Sequence, residues 1–301
     1  MSKRVCAVVV TYNRQALLRR CLLALQEQMS DDDHILVVNN ASTDSTLDLL
    51  SAEFPNVQIL DLPENIGGAG GFHEGMKWAY EAGYEWAWLM DDDGYPMPGC
   101  LGLLLGQSES AHVLVPAQQD GQGGLYGVAI WHGERRDLTT EIAAEGKPVV
   151  GKFLFAFVGP LISREVIAQV GLPNRDFFIW FDDYEYALRI HGVSNTRIVA
   201  VPQARFFHDI YGETREVTVL GRRSLRASQA AWKTYYGTRN QLFTLRSTRR
   251  WRRDLWPFYH TQLQHLLGDV IYEPDGRRRA TLRLMGLRDG LMGRLGKRVQ
   301  P

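Results

Sequence analysis

Short apolar runs alternate with segments of helical periodicity over the first 60 positions of the chain. Val5 to Thr11 is a β-branched run, and in Arg14 to Gln28 apolar residues recur every three or four positions. Ile35 to Asn39 and Ser45 to Phe54 repeat this pair, and a third run follows at Val57 to Leu60. The alternation predicts an α/β fold, in which a mostly parallel sheet is covered by helices on both faces.

Polar loops follow the predicted strands, at the ends where parallel sheets bind ligands. These loops are Thr11 to Arg14, Asn39 to Asp44, and a glycine-rich segment from Asn65 to Gly71. A fourth apolar run, Trp86 to Met90, leads directly into Asp91, Asp92 and Asp93. We therefore expect the loops and the acidic turn to meet at one edge of the sheet.

The three consecutive acids repel one another, so this turn needs a positive partner. A divalent cation is the simplest partner, because Mn²⁺ and Mg²⁺ prefer oxygen ligands and commonly combine one or two carboxylates with substrate phosphates. Alternatively, the acids cap the helix that follows them. The pattern favours a metal site and leaves the structural role open.

Charge is distributed unevenly along the chain, although the net charge of all 301 residues is zero. From Arg215 onward there are 19 Lys and Arg against 6 Asp and Glu, whereas the first 214 residues have 15 against 28. From about Ser224, helical spacing predicts a basic α-helical region with a break near Glu273 to Gly276. This region either contacts an anionic membrane surface or presents solvated helix faces. The net charge of zero argues against nucleic acid as a partner.

Cysteine usage and hydropathy bear on location. Cys6, Cys21 and Cys100 show no C-x-x-C spacing, which excludes a disulfide framework and favours the cytoplasm. The first apolar run is too short for a signal peptide, and no run of about 18 apolar residues could span a bilayer. Membrane contact is thus expected to be peripheral, at the inner face of the plasma membrane.

Four motifs, AVVVTYNR, NNASTDST, ENIGGAGGF and LMDDDG, resemble in this order the nucleotide-binding half of a family 2 glycosyltransferase of the GT-A fold. The resemblance implies that Asp91 and Asp93 hold Mn²⁺ or Mg²⁺ against the diphosphate of a nucleotide sugar, while Asp92 faces the ribose or the sugar. It places further donor-binding residues in the three loops, at Thr11, Tyr12, Asn13, Arg14, Asn39, Asn40, Asn65, Gly68, Gly70 and Gly71. The glycines are expected to let backbone N–H groups approach the donor. Asn39 and Asn40 stand where acids are common in the family, so the donor nucleotide can contain either uridine or thymidine.

The second half of the chain carries a further resemblance to this family. In the segment WFDDYE, the resemblance assigns the catalytic base to Asp183. Asp182, Glu185 and Trp180 beside it are expected to contact the substrate, with a place in the core as the alternative for the Trp180 ring. The resemblance also makes His208 a metal ligand. Helix capping by the three acids is the alternative. The motif WKTYYGTRN resembles members that transfer galactofuranose or rhamnose, and there Arg239 contacts the donor diphosphate or the main domain.

These features predict a GT-A catalytic domain over residues 1–213 and a helical, basic region over 214–301. The resemblance implies an inverting, metal-dependent glycosyltransferase that moves galactofuranose from UDP-galactofuranose to a cell-surface glycan or a lipid-linked acceptor. A dTDP-rhamnose donor is the second choice. The alternatives are a nucleotidyltransferase, whose basic glycine-rich signature the TYNR loop lacks, and a catalytically silent sugar-binding scaffold.

Overall fold

The computed structural model describes residues 4–131, 135–208, 214–219, 222–227, 229–248 and 251–300. The chain forms two compact units. The first comprises residues 1–175 and 183–209, and the second comprises 176–182 and 210–301. The predicted domain boundary after residue 213 lies outside the described residues and stays a prediction. The segment 176–182, which we had assigned to the first domain, groups with the C-terminal residues.

Twelve strands are described in the first unit, and ten of them form one mixed sheet. They are β1 (Val5–Thr11), β2 (His34–Asn39), β3 (Gln58–Asp61), β4 (Trp86–Asp91), β5 (Gly94–Pro96), β6 (Val113–Gln119), β7 (Leu125–Tyr126), β8 (Ala129–Trp131), β9 (Arg135–Asp137), β10 (Val149–Gly151), β11 (Leu161–Ser163) and β12 (Ile198–His208). The sheet order is β10-β12-β6-β11-β4-β1-β2-β3, with β5 beside β12 and β7 beside β6. Strands β8 and β9 form a separate antiparallel pair.

Strand direction puts the polar loops at one edge of this sheet. Strands β1 to β4 are mutually parallel, and β12 runs parallel to β6. The antiparallel strand β11 lies between β4 and β6, so β6 and β12 point the same way as β4. The carboxyl ends of all six strands therefore lie at the same edge.

Helices cover both faces of the sheet, as the alternating pattern predicted. The helices are α1 (Gln15–Gln26), α2 (Thr46–Glu53), α3 (Gly67–Glu81), α4 (Cys100–Leu105), α5 (Thr139–Glu145), α6 (Arg164–Val170) and α7 (Asp182–His191). All their residues belong to the first unit except Asp182, which groups with the second. Two short 3₁₀ turns occur at Ser108–Ser110 and Arg175–Phe177. Alternate residues of β1 face opposite cores: Val9 packs with α1, α2 and α4, whereas Val8 packs with α3, α5, α6 and α7. Burial on both faces explains why these strands are continuous apolar runs.

The glycine-rich segment is helical, so our prediction of a flexible loop there was wrong. Residues 67–71 form the first turn of α3. A Cβ at Gly71 would lie 2.5 Å from Val10 Cγ1, and one at Gly70 would lie 2.6 Å from Ile66 Cγ1. Gly71 lets the helix pack directly against β1, and Gly70 makes room for the Ile66 side chain at the start of the helix. This packing outweighs their low helix propensity.

The second unit contains a hairpin and three helices. Its elements are β13 (Thr214–Val219), β14 (Arg222–Ala227), α8 (Ala231–Ser247), α9 (Trp251–Tyr272) and α10 (Gly276–Met292). The predicted helical region with a break near Glu273 is confirmed, except that residues 222–227 pair as a strand with the β-branched segment TREVTV. None of the described helices has both the length and the apolar character needed to cross a bilayer.

Candidate active site

Parallel pairing aligns the ends of four strands at the edge of the sheet that carries the polar loops. Thr11 is in register with Asn39, and Asn39 is in register with Asp61. On the other side of β1, Val10 is in register with Asp91. The acidic turn and two of the predicted loops thus share one edge, as the sequence predicted.

The acid at the centre of the turn is buried and held by the loop that follows β1. Thr11 Oγ1 donates a hydrogen bond to Asp92 Oδ2 at 2.7 Å, and Arg14 Nη1 lies 3.3 Å from Asp92 Oδ1. Burial raises the pKa of Asp92 to about 6, and Thr11 and Arg14 oppose that rise. Because protein groups engage both carboxylate oxygens, the predicted contact of Asp92 with ribose or sugar does not fit this arrangement. Asp92 instead fixes the Thr11 to Arg14 loop.

Antiparallel pairing brings His208 to the last acid of the turn. Strands β5 and β12 pair so that His208 is opposite Gly94, the residue after Asp93. His208 Nε2 lies 3.6 Å from Asp93 Oδ1, and Arg14 Nη1 lies 2.7 Å from Asp93 Oδ2. Asp93 Oδ1 is buried and has no hydrogen-bond partner among the described residues. A distance of 3.6 Å is too long for a hydrogen bond.

The hydroxyl of Tyr126 determines which nitrogen of His208 faces the acid. It donates to the His208 carbonyl at 2.6 Å and lies 2.7 Å from His208 Nδ1. A hydroxyl has one proton, so once that proton is given to the carbonyl, Nδ1 must be the donor in the second bond. In the neutral imidazole, the lone pair of Nε2 then faces the carboxylate oxygen of Asp93, and this is the tautomer that ligates metals.

The donor set at Asp93 fits a divalent cation. An imidazole lone pair and an orphaned carboxylate oxygen, 3.6 Å apart, suit an ion with metal–ligand distances of about 2.0–2.2 Å. Within the described residues, however, no three His, Cys, Asp or Glu side chains converge on one point. The predicted trio of Asp91, Asp93 and His208 is therefore not gathered into one cluster. Asp93 and His208 are the pair that the structure brings together.

The loops after β1 and β2 are tied to each other. Asn13 has a positive φ of 55°, and its side-chain carbonyl accepts a hydrogen bond from Thr43 N at 2.7 Å. Its own backbone N–H donates to Ser42 Oγ at 3.0 Å. Tyr12, in contrast, is 43% exposed. Asn13 thus shapes the loop, while Tyr12 presents an accessible aromatic ring at this edge.

Asn39 and Asn40 are buried, and their amides bind protein groups. Asn39 Nδ2 donates to Asp61 Oδ1 at 2.7 Å, and its carbonyl accepts from Ser42 N. Asn40 donates to the Gly67 carbonyl and accepts from Ile66 N, each at 2.9 Å. A buried amide must satisfy its polar atoms, so the predicted contacts of both Asn residues with the nucleotide base do not fit these bonds. They hold the surrounding loops in place.

The start of α3 contributes fewer accessible groups than we predicted. Gly70 and Gly71 are buried and serve helix packing, and Asn65 Oδ1 accepts from Gly67 N at 2.8 Å. A Cβ at Gly68 would meet nothing within 4 Å. Of the four residues predicted here, Gly68 is the one with open space beside it.

Helix α7 begins with the acids of the WFDDYE segment. Asp183, in the first turn, is half-buried, and its Oδ1 accepts from Tyr184 N at 2.6 Å. Glu185 is buried and pairs with Arg189, whose guanidinium also donates to the Val170 and Leu172 carbonyls. That pair fastens α7 to the preceding turn, so the predicted substrate contact of Glu185 does not fit. Asp182 is buried, and its substrate contact stays a prediction.

The segment before these acids, which includes Trp180, has an unusual backbone. Phe178, Trp180 and Phe181 have φ values of 66°, 65° and 67°. Each such conformation in a residue other than glycine costs about 1–3 kcal/mol and persists only where the surroundings impose it. Other residues must therefore hold this strained segment in place if Trp180 is to contact the substrate as predicted.

Arg239 and Asn240 of α8 hold this segment. Arg239 is fully buried and donates through Nη2 to the Phe177 carbonyl at 2.9 Å and through Nη1 to the Gly296 carbonyl at 2.6 Å. Asn240 Nδ2 lies within 3.0 Å of the carbonyls of Phe177, Ile179 and Trp180. A guanidinium engaged in this way cannot bind a diphosphate. The donor contact predicted for Arg239 does not fit these bonds, whereas the alternative, a contact with the predicted domain of residues 1–213, does, because Phe177 lies in that range. Arg239 is a positioning residue.

We expect Arg239→Met to lower the free energy of unfolding by about 3 kcal/mol, because it leaves buried carbonyls without donors. Urea denaturation measures this loss, and hydrogen exchange should rise within residues 176–181. The matched control is Arg278→Met on α10, whose side chain is exposed. The control should change stability by less than about 0.5 kcal/mol. Equal losses in the two variants would contradict the positioning role.

Sequence reasoning missed Tyr126 and Asp61. Tyr126 lies in β7, within the irregular middle of the chain, and no local signal links it to His208. Asp61 ends β3, and its exposed carboxylate accepts from Asn39 at the edge that carries the acidic turn. An acid directly after an apolar run was the available signal for Asp61.

Comparisons with known proteins indicate the family to which this fold belongs. Residues 6–151 match the sequence model described as Glycosyl transferase family 2. The chain is 29% identical to galactofuranosyltransferase GlfT1 of Mycolicibacterium smegmatis over 195 residues, which are 62% of this chain and 65% of that protein. It is 28% identical to GlfT1 of Mycobacterium tuberculosis over 280 residues, which are 87% and 91% of the two chains. It is 25% identical to the dTDP-rhamnosyl transferase RfbF of Shigella flexneri over 251 residues, 82% and 81% of the two chains.

Solved structures of low sequence identity share the fold. TarS of S. aureus, residues 1–349, superposes with a TM-score of 0.61 at 13% identity, over 95% of this chain and 80% of that one. GalNAc-T7, crystallised with UDP, GalNAc and Mn²⁺, gives a TM-score of 0.59 at 14% identity, over 96% and 56%. Both neighbours have the GT-A fold, which confirms the predicted fold class. With the named relatives, the match shows a family 2 glycosyltransferase domain over residues 6–151, and the chain is a glycosyltransferase enzyme.

Proposed function

We propose that this enzyme transfers galactofuranose from UDP-galactofuranose to a cell-surface glycan or a lipid-linked acceptor, in a single displacement that inverts the anomeric carbon. The observation that carries the proposal is the match to GlfT1 over 87% of the chain, which extends well past the matched family segment into the C-terminal residues. The likeness therefore includes elements outside the nucleotide-binding half. A whole-chain match bears more directly on the substrate than a match to the common fold.

The nucleotide of the donor binds at the edge formed by β1, β2 and β3. The exposed ring of Tyr12 offers a stacking surface for the base. The carboxylate of Asp61, oriented by Asn39, lies at the same edge and can accept hydrogen bonds from a pyrimidine or a ribose. Arg14, bound to Asp92 and Asp93, brings positive charge to the place where a diphosphate would lie.

Asp93 and His208 would hold Mn²⁺ or Mg²⁺ beside this nucleotide, and Asp91 is a further proposed ligand. The buried, unpartnered Oδ1 of Asp93 and the lone pair of His208 Nε2 support the choice. When bound, the ion neutralises the charge that develops on the departing diphosphate. Tyr126 orients His208, and Arg14 supplies a second positive group at Asp93.

Asp183 is the proposed catalytic base. Its side chain is half-buried in the first turn of α7, and a carboxylate beside the acceptor hydroxyl can take the proton of that hydroxyl. In an inverting transfer, that proton comes from the acceptor hydroxyl as it attacks the sugar. Deprotonation makes the hydroxyl a stronger nucleophile on the face opposite the diphosphate.

A dTDP-rhamnose donor is the second candidate, because RfbF matches 82% of the chain. A donor screen separates the two. Purified enzyme with Mn²⁺ is incubated with UDP-galactofuranose, UDP-galactopyranose, dTDP-rhamnose and UDP-glucose, and released nucleotide is measured. We expect release from UDP-galactofuranose to be the fastest. Faster release from dTDP-rhamnose would transfer the assignment to the second candidate, and no release from any donor would contradict both.

A peripheral contact of the second unit with the inner face of the plasma membrane is also part of the proposal. One face of α9 exposes large apolar side chains at helical spacing, namely Trp256, Leu263, Leu267, Val270 and Ile271. Basic side chains on α9, on α10 and after α10 are exposed in the same unit, namely Arg253, Arg277, Arg278, Arg294, Lys297 and Arg298. Apolar and basic groups together suit an anionic bilayer surface. Arg249 and Arg250, which extend the basic stretch in the sequence, lie outside the described residues.

We expect the double variant Leu263→Gln/Leu267→Gln to bind vesicles of phosphatidylcholine and phosphatidylglycerol at least about tenfold more weakly, since it removes two apolar groups from the contact. Co-sedimentation measures the binding. The matched control is Leu23→Gln/Leu103→Gln, which changes two similarly exposed leucines of the first unit. Equal binding by both variants would place the membrane contact elsewhere.

A further inference from the structure

The second unit contains a cavity of about 420 Å³. All of its lining residues belong to this unit, including Trp180 and Phe181 of the strained segment and residues of α8, α9 and α10. The volume falls within the range of about 300–1,000 Å³ typical of small-molecule sites. Of the residues predicted above to contact substrate, Trp180 is the one that lines this cavity.

One wall of the cavity is aromatic and held in place. A Cβ at Gly237 would lie 3.1 Å from the Trp180 ring, so the absence of a side chain there lets the ring rest against α8. Lys233 Nζ lies 5.6 Å from the centre of the same ring. Asn240 holds the Trp180 carbonyl from the other side at 2.9 Å. The Trp180 ring is thus a fixed, half-buried surface beside the cavity.

Another part of the lining is polar, and hydrogen bonds orient its side chains. Arg283 Nη1 donates to Gln262 Oε1 at 2.7 Å, which directs the Gln262 amide nitrogen to Gln241 Oε1 at 3.2 Å. The amide nitrogen of Gln241 has no recorded partner among the described residues. It is therefore a donor available to a ligand in the cavity.

The charges around the cavity are balanced. Arg283 pairs with Asp269 at 2.7 Å, and Arg279 lies 3.9 Å from Glu273. Among the lining residues, Asp269 and Glu273 balance Arg279 and Arg283, whose guanidinium groups already have carboxylate partners, and His265 is a further titratable group. A neutral ligand with many hydroxyl groups suits such a site better than an anion.

We propose that this cavity binds one or two neutral sugar units of the acceptor glycan. The C–H face of a sugar would lie on the Trp180 ring, and its hydroxyls would bind Gln241 and Thr234. The proposal rests on the proposed function, because it gives the sugar the role of acceptor. It adds a binding site within the second unit and assigns specificity for neutral sugars to these residues.

The test compares Gln241→Leu with Gln264→Leu in the full-length enzyme. Both replace a glutamine of the second unit, but Gln264 is exposed and does not line the cavity. Binding of methyl β-galactofuranoside, methyl α-rhamnoside and a galactofuranosyl disaccharide is measured by saturation-transfer NMR titration. Inorganic pyrophosphate serves as the anionic probe. Donor hydrolysis without acceptor is measured on the same preparations.

We expect Gln241→Leu to bind the sugars at least about tenfold more weakly, with unchanged donor hydrolysis, and Gln264→Leu to behave as wild type. Thr234→Val, a nearly isosteric change, should show the same selective loss and serves if Gln241→Leu does not fold. Sugar binding that is unchanged in Gln241→Leu and Thr234→Val overturns the proposal. It is also overturned if the wild type hydrolyses the donor but binds no sugar, or if pyrophosphate displaces the sugars. If sugar binding is lost selectively but no donor is hydrolysed, the cavity assignment stands and the proposed function fails.

Discussion

Replacing Asp183 by Asn is expected to lower kcat by about 10²–10⁴-fold while leaving donor affinity within about twofold. The substitution keeps the shape and the hydrogen bond from Tyr184 N, but an amide cannot take the proton of the acceptor hydroxyl. The loss should therefore appear in the transfer step and not in binding. Steady-state kinetics with saturating donor, combined with calorimetric titration of UDP and Mn²⁺, separates the two quantities.

Glu165→Gln is the matched control for this substitution. Glu165, like Asp183, is an acid in the first turn of a helix, and its side chain is 72% exposed. If Asp183 only favours the helix dipole, both substitutions should change stability by similar small amounts and leave kcat unchanged. A kcat of Asp183→Asn close to that of the wild type would remove Asp183 from the chemistry. Loss of donor binding would point to a structural role.

Replacing Asp93 by Ala is expected to abolish the Mn²⁺-dependent part of UDP binding. Asp93 contributes a buried carboxylate oxygen that has no hydrogen-bond partner among the described residues and lies 3.6 Å from His208 Nε2. Calorimetric titration of UDP with and without Mn²⁺ measures the metal-dependent difference. Asp48→Ala, which removes an exposed acid of α2, is the control and should keep that difference. An unchanged Mn²⁺ effect in Asp93→Ala would exclude Asp93 from the metal site.

A second variant tests whether Tyr126 orients His208 for metal binding. Tyr126→Phe removes the hydroxyl that sets the tautomer but leaves both proposed ligands in place. Loss of such an orienting partner typically weakens metal binding by about 10–100-fold. We expect Mn²⁺ affinity to fall within that range while UDP binding without metal stays the same. Unchanged affinity would show that His208 needs no help from Tyr126, or that it is not a ligand.

The sheet and its helices could be predicted because their signals are local. Burial on both faces makes β1 a continuous apolar run, and α1 repeats its buried leucines at helical spacing. Residues 67–71 were predicted incorrectly because their low helix propensity was visible in the sequence, whereas their fit against Val10 was not. Tertiary packing decided the conformation there.

The candidate site was predictable only where strand order places neighbours together. Thr11, Asn39 and Asp91 follow or end adjacent parallel strands, so their meeting at one edge could be inferred. The approach of His208 to Asp93 depends on antiparallel pairing between segments more than 100 positions apart, and no local pattern predicts that. The family resemblance supplied the role of His208 instead.

The resemblance helped with His208, whereas the donor contact that it suggested for Arg239 does not fit the structure. The motif that contains Arg239 resembled that of relatives, and a basic residue beside a diphosphate was a reasonable expectation. The structure buries its guanidinium among the carbonyls of Phe177 and Gly296. An arginine that satisfies backbone carbonyls and one that binds a ligand look alike in sequence, because the difference lies in a partner segment some 60 positions away.

The central claim is that the site performs inverting transfer of galactofuranose, and the anomeric configuration of the product tests it most directly. Enzyme, Mn²⁺ and UDP-galactofuranose labelled with ¹³C at the anomeric carbon are incubated with a galactofuranosyl disaccharide acceptor and followed by NMR. The account predicts a new glycosidic anomeric signal of configuration opposite to the donor, absent with Asp183→Asn. A product that retains the donor configuration, or no transfer from this donor while dTDP-rhamnose is consumed, would contradict it.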